Sequence, residues 1–298
     1  MKKKTTLFTT FMESLVRTLE RNGKMRTAET YRCACNSIVR YGGSSITLRN
    51  MTPAFIEGYE NWLLGTGLSR NTTSFYMRIL RAVYNRGIDQ GYAPAADPFR
   101  HVYTGVDKTV KRAVPLHIIR KIKMMDLSDR PDLAFARDLF MFSFYTRGMS
   151  FVDMAYLRRS DLAGHVLTYS RSKTGQRLAI HWEPCMQDIV DRWPSSPAGY
   201  LLPIVQRTDK DARHQYKSCI FKVNKSLREI SERLELSHPL TTYVARHSWA
   251  SIAYARNIPV SVIAEGMGHD SERTTRIYLA SLSNARVDRA NSKIIGLL

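Results

Sequence analysis

Apolar residues recur at the helical interval through most of this chain, and that interval changes in one place. Leu7, Phe11, Leu15 and Leu19 repeat every four residues, as one buried helix face requires. Further helices fit 27–42, ending at Gly42–Gly43, then 53–66 with Phe55, Tyr59 and Leu63 on one side, then 71–89 with Tyr76, Leu80 and Tyr84. After Pro115 the pattern resumes over 116–125, 131–145 and 150–157. It breaks at HVLTYS (165–170) and RLAIHW (177–182), where β-branched and aromatic residues flank a turn, RSKTGQ, containing Gly175. Helical spacing returns over 184–193, 213–234, 242–256, 259–265 and 271–282. The chain therefore reads as mainly α: a helical bundle at the N-terminus, then an α-rich domain holding a small antiparallel β-sheet.

At 298 residues there is chain enough for two domains, each with its own core. Residues 92–115 contain three prolines, no sustained period and the cations Lys108, Lys111 and Arg112, the composition of a linker. We divide the chain into a first domain over 1–105, a basic linker over 106–115 and a second domain over 116–298. No apolar run is long enough to span a bilayer. The N-terminal MKKKTTLFTTFMESL begins with lysines, but Glu13 and the lack of a small-residue cleavage site argue against a signal peptide. A soluble, cytoplasmic protein without a membrane partner is expected.

The net charge is +19, and it is spread over both halves: residues 1–105 hold 15 Lys/Arg against 7 Asp/Glu, the remainder 30 against 19. Such a surface attracts polyanions and gains affinity by releasing their counterions. Arg70, Arg78 and Arg81 recur along the outer side of the fourth helical segment, where they could follow a phosphate backbone or be merely solvated. Cys33, Cys35, Cys185 and Cys219 form no CxxC pair and no zinc spacing, so they read as reduced, mostly buried thiols. There is no P-loop, GxGxxG, HExxH or GxSxG. Carboxylates are too scattered for a two-metal nuclease. A basic protein that acts on DNA without metal or cofactor must stabilise the reacting phosphate with its own cations, and arginine's planar fork suits that task.

Three segments combine to that end: Arg171 and Lys173 in the hairpin turn, Arg246–His247 in TTYVARHSWAS, and His269 and Tyr278 in GHDSERTTRIYLA. Their order and intervals resemble the tyrosine recombinase (phage integrase) family pattern R-H-[TS]-x-A … G-H-x-[ST] … Y. The resemblance covers nearly the whole chain. It implies that the first domain is the family's helical, SAM-like core-binding domain and the second its catalytic domain. It also implies that Tyr278 attacks a DNA phosphodiester, Arg246 clamps the phosphate, His269 donates to it and Lys173 protonates the leaving 5′-oxygen. No cofactor is implied.

Two positions depart from the pattern. The family's usual histidine three residues before the second arginine is Tyr243 here. The segment YTRGMSFVDMAYL (145–157) aligns Asp153 and Leu157 but leaves Ser150 where the first arginine belongs. Arg147, about one helical turn earlier, is the preferred substitute, and Arg171 the alternative. The order R-G-M-x-F-x-D resembles a subgroup carried on mobile elements. The partners implied are double-stranded DNA, enclosed in a C-shaped clamp, a homotetramer on two DNA sites formed from free monomers, and accessory DNA-bending proteins. The tail, 283–298, would dock on a neighbouring protomer. Two other activities fit parts of the pattern: a type IB topoisomerase-like nicking and closing enzyme, and a catalytically impaired DNA-binding protein on the same scaffold.

Overall fold

The computed structural model describes residues 6–107, 112–269, 271–279 and 295, without the side chains of 277 and 278. Lys108, Lys111 and the tail 283–298, apart from 295, lie outside the described residues. The chain divides into two compact units, Met1–Thr109 and Val110–Leu298.

The first unit is built on α1 (Phe8–Arg21), α2 (Met25–Gly42), α3 (Pro53–Gly65) and α4 (Arg70–Asp89), with a 3-10 turn at Leu48–Asn50. Local chemistry sets the helix starts. Thr52 and Ser69 cap α3 and α4 by accepting the N–H groups of Phe55 and Thr72, and Pro53 occupies the first turn of α3. Leu7 was expected on the buried face of α1 but is the N-cap and 45% exposed; the buried stripe is Phe8, Phe11, Met12, Leu15, Val16 and Leu19. Buried Tyr59 keeps its hydroxyl satisfied through Ser37 Oγ at 2.7 Å.

Part of the stretch 92–115, read as a linker, belongs to the first unit's core. Phe99 and Val102 are buried with the first unit, and Tyr84 packs edge-on against Phe99 while donating to the Pro94 carbonyl. Asn71 then exchanges two hydrogen bonds with the backbone of Asp107, at 2.7 and 3.0 Å. These contacts are long-range and leave no period for a sequence to display.

In the second unit, α6 (Pro131–Tyr145) is apolar nearly all round and packs against α5 (Leu116–Met124), α8 (Pro184–Arg192), α9 (Ala212–Arg233) and α10 (Thr242–Ala255). Its one deeply buried carboxylate, Asp138, accepts from Arg137, Arg192 and Trp193. Between α6 and α8 come the short α7 (Phe151–Ala155), a 3-10 turn, and a sheet. The sheet has three antiparallel strands in the order β1 (Leu162–Ala163), β2 (Val166–Ser170), β3 (Arg177–His181), one more than the hairpin expected. Leu167 pairs with Ile180 and Tyr169 with Leu178, and this face turns into the core. The unit continues through α11 (Val260–Met267) and α12 (Glu272–Leu279), which pack on each other and on α10. The cysteines are less buried than expected: Cys33 is exposed and the other three are intermediate.

Candidate active site

Arg246 projects from α10 into the interior and is 2% exposed. A buried guanidinium must be satisfied by polar partners. One terminal nitrogen donates to the Gly148 carbonyl at 2.7 Å; the other donates to the Met267 carbonyl at 2.6 Å and lies 3.0 Å from His269 Nε2. The Gly148 carbonyl is delivered by a left-handed turn after α6, in which Arg147 has φ +60° and Gly148 φ +75°. Ser143 fixes this turn from both sides: its carbonyl accepts Gly148 N–H and its hydroxyl donates to the Met149 carbonyl.

His269 follows the C-terminus of α11, where Gly268 adopts φ +64° and His269 N–H returns to the Ala264 carbonyl. Its second ring nitrogen, Nδ1, stands 2.8 Å from Thr275 Oγ1 on α12. Burial, and then the cations Arg246, Arg171 and Lys173, push the imidazole down to a pKa of about 4. The ring is neutral at physiological pH.

The hairpin turn reaches the same place. Arg171 is buried and donates to the Gly268 carbonyl, while its backbone N–H bonds to the Gln176 carbonyl at 2.8 Å. Lys173 lies exposed in the turn, and its charge is felt at His269. Asp153, buried on α7, accepts Ser172 N–H at 2.8 Å and Ser150 Oγ at 2.5 Å, so it ties the turn to α7. Tyr169 on β2 is held protonated: burial and the Asp153 carboxylate raise its pKa, while Arg246, Arg171 and Arg147 oppose the rise.

The structure thus brings together Arg246, His269 and Arg171, with Lys173 at the rim. Arg147 is half-buried beside α11, and its guanidinium has no hydrogen-bond or ion-pair partner among the described residues. Ser150, which the sequence pattern aligns with an expected first arginine, is engaged with Asp153. Tyr243 sits on α10 one turn before Arg246, is 48% exposed, and packs its ring against His247 with centroids 4.7 Å apart. The backbone of Tyr278 lies in α12; its side chain is outside the described residues. Arg70, Arg78 and Arg81 are exposed in the first unit, as is Arg112 in the second. Arg70 also covers the Tyr103 ring at 3.8 Å, and Arg81 reaches Thr104, so both hold the 103–107 strap as well as facing solvent. Thr275 escaped the sequence reading. Its signal was the three-residue interval to Tyr278, which puts both on one side of a helix. Among the described residues no group of His, Cys, Asp or Glu could hold a metal ion, and no helix is long and apolar enough to cross a membrane.

Two family descriptions match the chain: the phage integrase SAM-like domain over residues 7–102 and the phage integrase family over residues 123–285. No curated protein sequence matches significantly. Solved structures share the fold at low identity. A lambda integrase dimer bound to a COC′ core site aligns with a TM-score of 0.70 and 15% identity, over 95% of this chain and 79% of that one. A Tn1549 transposon integrase in complex with transposon right end DNA aligns at 0.67 and 14%, over 96% and 99%. The XerH site-specific recombinase in a post-cleavage complex with palindromic difH substrate aligns at 0.68 and 17%, over 94% and 83%.

Proposed function

The chain belongs to the phage integrase family, and from that premise we propose that it is a site-specific DNA recombinase with Tyr278 as nucleophile. The observation that carries this reading is the convergence of Arg246, His269 and Arg171 beside the start of α12, the helix that contains Tyr278.

The chemistry follows from these groups. In this reading the Tyr278 phenol loses its proton to solvent, and nearby cations would favour the phenolate. The phenolate oxygen bonds to phosphorus, the bond from phosphorus to the 5′-oxygen breaks, and Lys173 supplies the proton to that leaving oxygen. A 3′-phosphotyrosyl ester and a free 5′-hydroxyl result. Attack by another strand's 5′-hydroxyl reverses each step, so the bond energy is conserved without ATP. Arg246, held by two carbonyls, offers preorganised positive charge to the phosphate oxygens. Arg147, whose guanidinium is unengaged among the described residues, is the better candidate for the missing first arginine. Exposed Tyr243 is too weak a base near neutral pH to replace a histidine. Strand exchange would proceed through a Holliday junction in a homotetramer on two DNA sites, with accessory DNA-bending proteins as further partners. The mobile-element subgroup suggested by R-G-M-x-F-x-D belongs to this proposal too.

A second reading, a DNA-binding protein without cleavage activity, draws on Ser150 and Tyr243 standing where the family has catalytic residues. Suicide DNA substrates carrying the protein's site separate the two. A covalent adduct that disappears in Tyr278→Phe supports the recombinase; binding without an adduct supports the alternative. An adduct accompanied only by relaxation of supercoils would point to a topoisomerase-like enzyme.

A further inference from the structure

Arg147 holds an unfavourable backbone conformation, φ +60°, in the turn after α6. A residue with a side chain enters the left-handed region only at a cost, and such outliers persist where something else depends on them. A glycine would form the same turn more cheaply, so backbone geometry alone does not call for arginine here. A second local rule is broken opposite it. Gly266 lies inside α11, where glycine is less favourable than any residue but proline. Space accounts for it: a Cβ there would stand 3.2 Å from Cη2 of Trp249 and 3.6 Å from Cδ of Arg147. The stem of Arg147 and the edge of the half-buried Trp249 ring therefore share the ground over Gly266. Trp249 follows Arg246 by three residues on α10, and Gly148, next to Arg147, supplies the carbonyl that Arg246 binds. The charge of Arg147 is felt at Tyr169 together with those of Arg246 and Arg171, which puts its cation in the same neighbourhood.

We propose that Gly266 and Trp249 are positioning residues that form a seat for the Arg147 stem. The missing side chain at 266 leaves the groove, the Trp249 ring walls it, and the guanidinium is carried past α11 towards the phosphate that Arg246 clamps. The destination of the guanidinium rests on the reading of Arg147 as the first arginine. The seat does not. A stem already held in place has little rotamer freedom left to lose when the phosphate arrives, so the cation is preorganised for it.

Gly266→Leu introduces a good helix former whose atoms beyond Cβ must displace either the Arg147 stem or the ring. The test is NMR of isotope-labelled arginine side chains, with Arg147→Ala assigning the Nε–H resonance, alongside adduct formation on suicide DNA. The expected result is an ordered Arg147 Nε–H in the unaltered protein and a motionally averaged one in Gly266→Leu, with the Arg246 and Arg171 signals unmoved. Adduct formation should then fall by about 10- to 100-fold at unchanged DNA affinity. Gly266→Ala serves in the same role should the leucine variant not fold. An Arg147 signal already averaged in the unaltered protein, or untouched by the substitution, would overturn the proposal. Equal disturbance of Arg246 and Arg171 would overturn it as well, since the damage would then be general. An averaged Arg147 signal with undiminished adduct formation would leave the seat standing and remove the first-arginine role. Should the unaltered protein form no adduct, the Arg147 signal still decides the seat, and the recombinase reading fails separately.

Discussion

A Cβ on Gly148 would stand 2.7 Å from the Cα of Arg246, inside the closest approach that packed carbon atoms tolerate. The glycine is needed twice over, because its φ of +75° also disfavours any side chain. What it secures is the short carbonyl contact that orients the buried guanidinium.

Gly148→Ala should therefore destabilise the second unit by about 2 kcal/mol or more, combining left-handed strain with overpacking, and should abolish adduct formation. Gly164→Ala is the control: it has φ +55° but nothing within 4 Å of an added Cβ, so it should bear the conformational cost alone. Chemical denaturation of the two variants compares them, and equal losses would remove Gly148 from its role.

The legible part of this molecule was the part encoded by short intervals. The helical spacing located every long helix, because each buries a stripe that repeats along its own sequence. Arg246, His269 and Tyr278 could be aligned because their intervals are fixed by neighbouring helices α10 to α12. What stayed hidden depends on partners far away in sequence. Phe99 and Val102 belong to the first unit's core through α4, not through any local period. The two-residue β1 is too short for alternation to show. Gly148 looks like an ordinary turn glycine until Arg246, nearly a hundred residues later, arrives beside it. Thr275 reads as an ordinary helix residue, since nothing in its own helix shows that its hydroxyl meets the His269 ring.

Lys173 is expected to act by proton donation, which gives a chemical test. Lys173→Ala should slow adduct formation by about 100- to 10,000-fold on normal DNA. A substrate with sulfur in place of the bridging 5′-oxygen should recover most of that loss, since a thiolate leaves without being protonated. Asp153 holds the same turn through Ser172 N–H, so Asp153→Ala should be rescued by the same substrate. Rates equally depressed on both substrates would count against the general-acid role.

Arg147 and Arg171 should fail in different ways. Arg171 is buried and bound to the Gly268 carbonyl, so Arg171→Ala should lower thermal stability and loosen His269. Arg147 has no such bond among the described residues. Arg147→Ala should leave the melting temperature nearly unchanged while removing adduct formation. A reversed pattern, with a stable but inactive Arg171 variant and an active Arg147 variant, would transfer the first-arginine role to Arg171.

His269 should make the protein acid-sensitive. Its folded pKa, about 4, lies below the ordinary 6.5 because burial and the cations Arg246, Arg171 and Lys173 oppose protonation. The unfolded chain therefore binds this proton at a higher pH than the folded one. The group's contribution is complete above pH 6.5 and is progressively lost as the pH falls toward 4, by up to about 3 kcal/mol. Denaturation midpoints measured between pH 7 and 4 should fall less steeply in His269→Gln than in the unaltered protein. Parallel slopes would show that the ring titrates normally.

Cleavage should occur in cis, with Tyr278 serving the Arg246 of its own chain. Thr275 and Leu279 bury one side of α12 against α10 and α11 of the same protein, and the hydrogen bond to His269 links that helix to the clamp. Mixing Tyr278→Phe with Arg246→Lys on a two-site substrate tests this arrangement. In cis, the first protomer lacks a nucleophile and the second a competent clamp, so every site is defective and the mixture forms no adduct. In trans, a tyrosine from the Arg246→Lys protomer could enter the intact clamp of its neighbour, and adduct would reappear on mixing. Silence in the mixture must be accompanied by intact DNA binding and assembly of both variants, which gel-shift measurements on the same samples establish.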